Sequence, residues 1–234
     1  MRSLYRTHAD AHAAGLATGS LEALKWIALL LMLGDHVDVV LFDKQLPFLR
    51  ELGRIAFPLF ACVFGCNLAR HNPQWRTTYR RVLRRLLLFG LLSLPFSVLA
   101  FRRWDLLPLN ILFTFAIGLG LVWCIRRGDN VGALLGSLLF LGGGALVEFS
   151  WPGLVLVVAA WACFAYPGYA SQAFALASTC ALWFVNENFY ALLAWPLIVG
   201  AHLLHVRLPR NRWLFYVFYP AHLALLAALR YLLR

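Results

Sequence analysis

Between Leu21 and Phe42 the chain reads LEALKWIALLLMLGDHVDVVLF, an apolar run of membrane length with Lys25, Asp35, His36 and Asp38 inside it. An ionisable side chain at membrane depth costs roughly 3 kcal/mol or more unless it is paired or wetted. A helix that tolerates four of them is therefore expected to line a working cavity.

The remainder of the chain sets the class. Hydrophobic residues make up 62% and charged residues 13%, and the mean hydropathy is +0.73, far more apolar than a water-soluble domain of this length. This predicts an all-α, polytopic membrane protein. Apolar spans fall at Leu21–Phe42, Leu52–Ala69, Val82–Phe101, Leu109–Ile125, Val131–Val147, Gly153–Tyr166, Ala170–Val185, Phe189–Leu204 and Trp213–Leu232, about nine transmembrane helices. Gly153–Tyr166 is short enough to be re-entrant. Polar and turn-forming residues punctuate the gaps, including Asn72 and Pro73, Pro108, Gly128, Pro152, Pro167 and Pro209. Residues 1–20 lack an apolar run and read as a polar cytosolic tail, and residues 21–234 as one transmembrane helical domain.

Lys and Arg in short loops stay cytosolic, and fourteen of the 21 fall on the inner side if the amino terminus is inside. The net charge of +11 is then mostly a topology signal, and with no soluble domain a nucleic-acid partner is not expected. Cys62 and Cys66 share a helix face but lack companion ligands, so buried thiols are expected rather than a metal site. The same holds for the His202 and His205 pair. No metal is expected.

Helical geometry organises the first span. Lys25 and His36 are eleven residues apart, close to three full turns, so they share a face about 16 Å apart along the axis, with Leu29 and Met32 between them. Gly34 could loosen the helix before the polar cluster. Asp35 and His36 diverge by about 100°, so the carboxylate that orients the imidazole is sought elsewhere, first at Glu148 and then at Asp38. Three readings stay open: a buried ion-pair network, a proton or ion path, and catalysis with His36 as general base.

Several blocks carry a family resemblance. The runs LKWIALLLMLGDHVDVV, GRIAFPLFACVFGCNLAR, RLLLFGLLSLPF, LNILFTFAIGLGL, VEFSWPGLVLV and WLFYVFYPAHL resemble, in order, the TraX family of conjugative pilin acetyltransferases. A more distant likeness is to the membrane acyltransferase-three family, where a basic residue precedes a catalytic histidine by eleven positions, as Lys25 precedes His36. The resemblance implies a multi-pass enzyme of the bacterial inner membrane. It implies acetyl transfer from cytosolic acetyl-CoA to the terminal amine of a pilin subunit, with an envelope glycan as the other acceptor.

Within that expectation His36, Asp35 and Glu148 are the candidate catalytic residues. Lys25, Arg81, Arg85 and Arg54 are candidate coenzyme contacts, since guanidinium forks bind phosphates bidentately. Asp38, Asn67, Asn110, Tyr219 and His222 are candidate substrate contacts. A proton-coupled transporter built on the same acidic cluster is the competing class.

Overall fold

The computed structural model describes residues 16–103, 105–203, 208 and 213–233, and they are helical almost throughout. Apolar chain in a lipid setting has no water for its backbone, and a helix satisfies every N–H and C=O internally. The elements are α1 (Thr18–Leu41), α2 (Pro47–Gly53), α3 (Ala56–Ala69), α4 (Trp75–Phe101), α5 (Ile111–Arg127) and α6 (Asn130–Leu146). They continue with α7 (Ser150–Ala165), α8 (Tyr169–Ala181), α9 (Trp183–Asn186), a 3-10 turn (Tyr190–Leu193), α10 (Ala194–Leu203) and α11 (Leu214–Leu232). Each of the nine apolar stretches coincides with a helix or a pair of short ones. Three of them, Pro47–Ala69, Trp75–Phe101 and Leu214–Leu232, are long and apolar enough to cross a membrane. α1 has the length, at 24 residues, but carries Glu22, Lys25, Asp35 and Asp38. Residues 1–15 and His205 lie outside the described residues, as does the side chain of His202, and α1 already begins at Thr18.

α1 runs unbroken through Gly34, so the expected loosening there does not occur. Asp38 ends it. The Asp38 carbonyl accepts from the Phe42 and Lys44 amides, and its Oδ1 accepts from the Leu46 amide at 2.7 Å, which turns the chain into α2. Pro47 starts α2 at a position where its missing N–H is harmless.

α7 is the centre of the bundle. It packs against α3, α5, α6 and α8, and its short length suits a helix surrounded by others. Val157 and Trp161 join Phe57, Phe115, Leu119 and Leu223 in the main core. The α3 contact is close because Gly65 faces the backbone of Ala160: a Cβ on Gly65 would stand 2.5 Å from the Ala160 carbonyl carbon. α4 packs along α11, and α1 packs on α2, α3, α10 and α11. These contacts leave a space bounded by α1, α3, α4, α5 and α11.

Among the described residues, two helix starts are capped by side chains. Asn110 Oδ1 accepts from the Leu112 amide at α5, and Asp129 Oδ1 accepts from the Gly132 amide at α6. Hydrogen bonds from Arg127, then from Gly132, hold the Asp129 carboxyl below its ordinary value of 3.8. A depressed carboxyl contributes stability above that value and loses it as pH falls through the folded value. The Gly132 and Ala133 amides are therefore expected to lose hydrogen-exchange protection on acidification, and Asp129→Asn to flatten that dependence. An unchanged profile in the variant would refute this role.

A candidate active site between two cavities

The space between α1, α3, α4, α5 and α11 is a cavity of about 470 Å³. Cations gather in its wall at one end, Lys25 on α1, Arg70 after α3 and Arg85 on α4, with His71 beside them. Two of these charges are already engaged. Lys25 donates to Glu22 at 2.6 Å and sits over the Phe215 ring, while Arg85 lies 4.3 Å from the centre of Trp213. Beside them Arg126 stacks on Trp75 at 4.5 Å and donates to the Tyr79 hydroxyl. Going deeper, the wall becomes apolar and aromatic through Leu29, Met32, Phe60, Phe115 and Phe218, and it includes Tyr219.

One turn beyond Met32 on α1 comes His36, and one turn beyond Phe218 on α11 comes His222. The two rings meet. His36 Nδ1 and His222 Nε2 are 2.8 Å apart, and His222 Nδ1 is 2.9 Å from the Phe218 carbonyl oxygen. A carbonyl can only accept, so His222 Nδ1 carries a proton, and in the neutral ring its Nε2 is then the acceptor. His36 Nδ1 must donate to it. This assignment, made from the network, leaves a lone pair on His36 Nε2, which makes no hydrogen bond among the described residues.

The pair stands at a boundary. His222 touches the rings of Phe218 and Tyr219, both in the cavity wall. His36 touches Phe101 at 5.3 Å between ring centres, and Phe101 lines a second, small pocket with Arg103, Asp105, Asn110, Glu148 and Tyr219. Glu148 occupies the break between α6 and α7. The break is pinned by a bridge in which Leu109 donates to the Leu146 carbonyl and Glu148 donates to the Leu109 carbonyl, and the Thr114 hydroxyl donates to the Glu148 carbonyl. Phe149 and Ser150 follow at φ 62° and 48°. Left-handed backbone at two non-glycine residues costs of order 1–3 kcal/mol each and tends to collect at functional positions. The Glu148 carboxylate faces the Ile111 amide, with Arg103, Tyr219 and Asp35 within electrostatic reach.

The candidate residues divide by depth. Lys25, Arg85, Asn67 and Tyr219 line the cavity, and His36 and His222 form the pair beyond it. Arg81 is exposed on α4 outside the cavity wall, so of the expected Arg81 and Arg85 pair only Arg85 lines the cavity. Arg54 stands apart from Lys25 and Arg85. It lies at the α2–α3 junction within reach of Asp35, which packs directly on Gly53. Asp38, fully buried, is engaged with backbone, and Asn110 caps α5 while donating to the Gly90 carbonyl. Asp35 Oδ1, Asp38 Oδ2 and Arg54 Nε have no hydrogen-bond partner among the described residues. The expected carboxylate partner of the His36 ring is neither Glu148 nor Asp38: His222 takes that position. Sequence reasoning missed Glu22, Trp75, Tyr79 and Phe101, because each reads as an ordinary anchor or core residue until the helices are assembled.

Apolar helices enclosing a cavity with a cationic rim, with a hydrogen-bonded imidazole pair beyond it, define a helical membrane protein. Its family is clear as well: the TraX protein family matches residues 20–230, and the chain belongs to it. The chain is 31% identical to Protein TraX of Escherichia coli over 145 residues, 61% of this chain and 56% of that protein. A second Escherichia coli Protein TraX is 32% identical over 142 residues, covering 59% and 54% of the two chains. The matched region thus spans about half the length of these two relatives. Probable fimbrial assembly protein FimC of Dichelobacter nodosus is 27% identical over 240 residues, 90% of this chain and 96% of that one. No solved structure gives a significant match.

Proposed function

We propose that this chain is an acyltransferase of the bacterial inner membrane that moves an acetyl group from cytosolic acetyl-CoA to an acceptor at the outer face, with the terminal amine of a pilin subunit as that acceptor. In this reading the helices cross the bilayer about nine times with the amino terminus in the cytosol. The observation that carries the chemistry is the His36 and His222 pair, whose hydrogen-bond directions leave His36 Nε2 without a proton and whose ring neighbours Tyr219 and Phe101 line the two cavities. Membership of the TraX family and the likeness to a fimbrial assembly protein support the pilin acceptor.

The acceptor nitrogen attacks the thioester carbonyl carbon, a C–N bond forms and the C–S bond breaks. His36 Nε2 takes the proton from nitrogen and returns it to the departing sulfur. A terminal amine has a pKa of about 7.7–8, so modest base assistance is enough. While His36 holds two protons, its Nδ1–H bond to His222 becomes charge-assisted, which stabilises the imidazolium when it forms.

The donor's phosphates match the cationic rim, with Arg85 as the main contact and Lys25 adding to it. Losing one charge-assisted hydrogen bond costs about 1.5–3 kcal/mol, so Arg85→Ala is expected to weaken acetyl-CoA binding about 10- to 100-fold by calorimetry on the purified protein. Arg81→Ala, outside the cavity, is expected to bind as wild type. Equal affinity in both variants would remove the rim from the donor site. The acceptor is tested by intact mass of envelope pilins from cells with and without this chain: one added acetyl group in the first and none in the second supports the reading, and identical masses refute it.

A further inference from the structure

We propose that Tyr219 is the partition between a donor compartment and an acceptor compartment, and that its ring closes the site to water from the Glu148 side until the acceptor arrives. Among the described residues Tyr219 is the one residue that lines both pockets. The two differ greatly: about 470 Å³ on the Arg85 side and about 10 Å³ on the Glu148 side. The smaller has room for roughly one water. The site is thus open to the cationic rim and shut toward Glu148, with Tyr219 as the shut wall.

The ring is held there from three directions. It is 6% exposed, its edge meets the His222 ring at 5.4 Å, and its hydroxyl lies at the Ile111 amide with Glu148 in reach. The wall is also built where its helix can yield. Pro220 follows directly, has no N–H to give the Tyr216 carbonyl, and loosens α11 at this turn. A small displacement of Tyr219 would join the two pockets beside His36.

The chemical consequence is a choice between two nucleophiles. Water entering from the Glu148 side would attack the thioester carbonyl, break the C–S bond and give acetate and free thiol, wasting the donor. An acceptor that fills the small pocket as the ring moves excludes that water and receives the acetyl group instead. Tyr219 is in this sense a specificity-determining residue for transfer over hydrolysis. The hydrolysis half rests on the acyltransferase reading above; the partition itself does not.

The test uses the full-length chain in membrane vesicles of both orientations, with Val82→Cys in the large cavity and a small impermeant thiol reagent over the background of the five native cysteines. With Tyr219 in place, the introduced thiol is expected to label from one face. Tyr219→Ala, which adds the volume of the lost ring to a pocket that otherwise holds about one water, is expected to let Val82→Cys label from both faces, whereas Tyr219→Phe, which keeps the ring, leaves labelling one-sided. Acetyl-CoA hydrolysis without acceptor should rise severalfold in Tyr219→Ala. Two-sided labelling with Tyr219 intact, or one-sided labelling in Tyr219→Ala, overturns the partition. If the labelling shifts as expected but wild type turns over no acetyl-CoA under any condition, the partition stands and the acyltransferase reading falls.

Discussion

His36→Ala is expected to lower acyl transfer by about 10²- to 10⁴-fold while leaving acetyl-CoA binding close to wild type, because a positioned general base contributes on that scale. The separation of the two effects follows from depth. His36 lies one helical turn past Met32, beyond the cavity wall and away from Lys25 and Arg85, so removing its ring leaves the cationic rim intact. His222 gives the companion result. His222→Gln keeps a side-chain acceptor for His36 Nδ1 and should retain more activity than His222→Leu, which keeps bulk but leaves that donor unpaired. The pH profiles distinguish positioning from bulk packing: His222→Leu should shift the acid limb, where protonation of His36 removes the base, and a merely structural residue would lower the rate without moving it. Acylation at wild-type rate in His36→Ala would remove this residue from the reaction.

The largest expected effect on stability is at Gly65. A Val side chain there would press on the Ala160 carbonyl carbon at 2.5 Å, the Trp161 amide nitrogen at 2.6 Å and the Ala160 oxygen at 2.8 Å. These are backbone atoms of the central helix α7, which cannot rotate aside as a side chain does. Overpacking of this kind costs about 1–3 kcal/mol, and Gly65→Val should reach the upper end. Gly142→Ala, with nothing within 4 Å, is the control and should stay within about 0.5 kcal/mol. Unfolding in detergent, followed by denaturant titration, checks both. Equal stability would mean that α3 and α7 can separate freely.

Much of the bundle was legible one helix at a time. Continuous apolar runs specify helices in lipid whatever their neighbours, so the stretches from Leu21–Phe42 to Trp213–Leu232 all became helical, with ends displaced by a few residues. Position along one helix was legible too: Lys25, Leu29 and Met32 do line one cavity, and His36 continues that face. Rotation of one helix against another was not. Arg81 and Arg85 are one turn apart and looked equivalent, yet only Arg85 turns toward the cavity. Asp38 looked like a substrate contact and instead closes a turn, since a carboxylate near a helix end competes for nearby amides.

By itself the sequence determined a helical membrane protein of the TraX family, with a histidine and a cation aligned on one face of its first helix, because periodicity and apolar length act locally. What only the tertiary structure decided is which groups meet: His222, 186 residues away, became the partner of His36, and Tyr219 became the wall between two compartments. Those pairings depend on how α1 and α11 are set against α4 and α5, which is fixed by side-chain packing summed over the whole bundle rather than by any single stretch of chain.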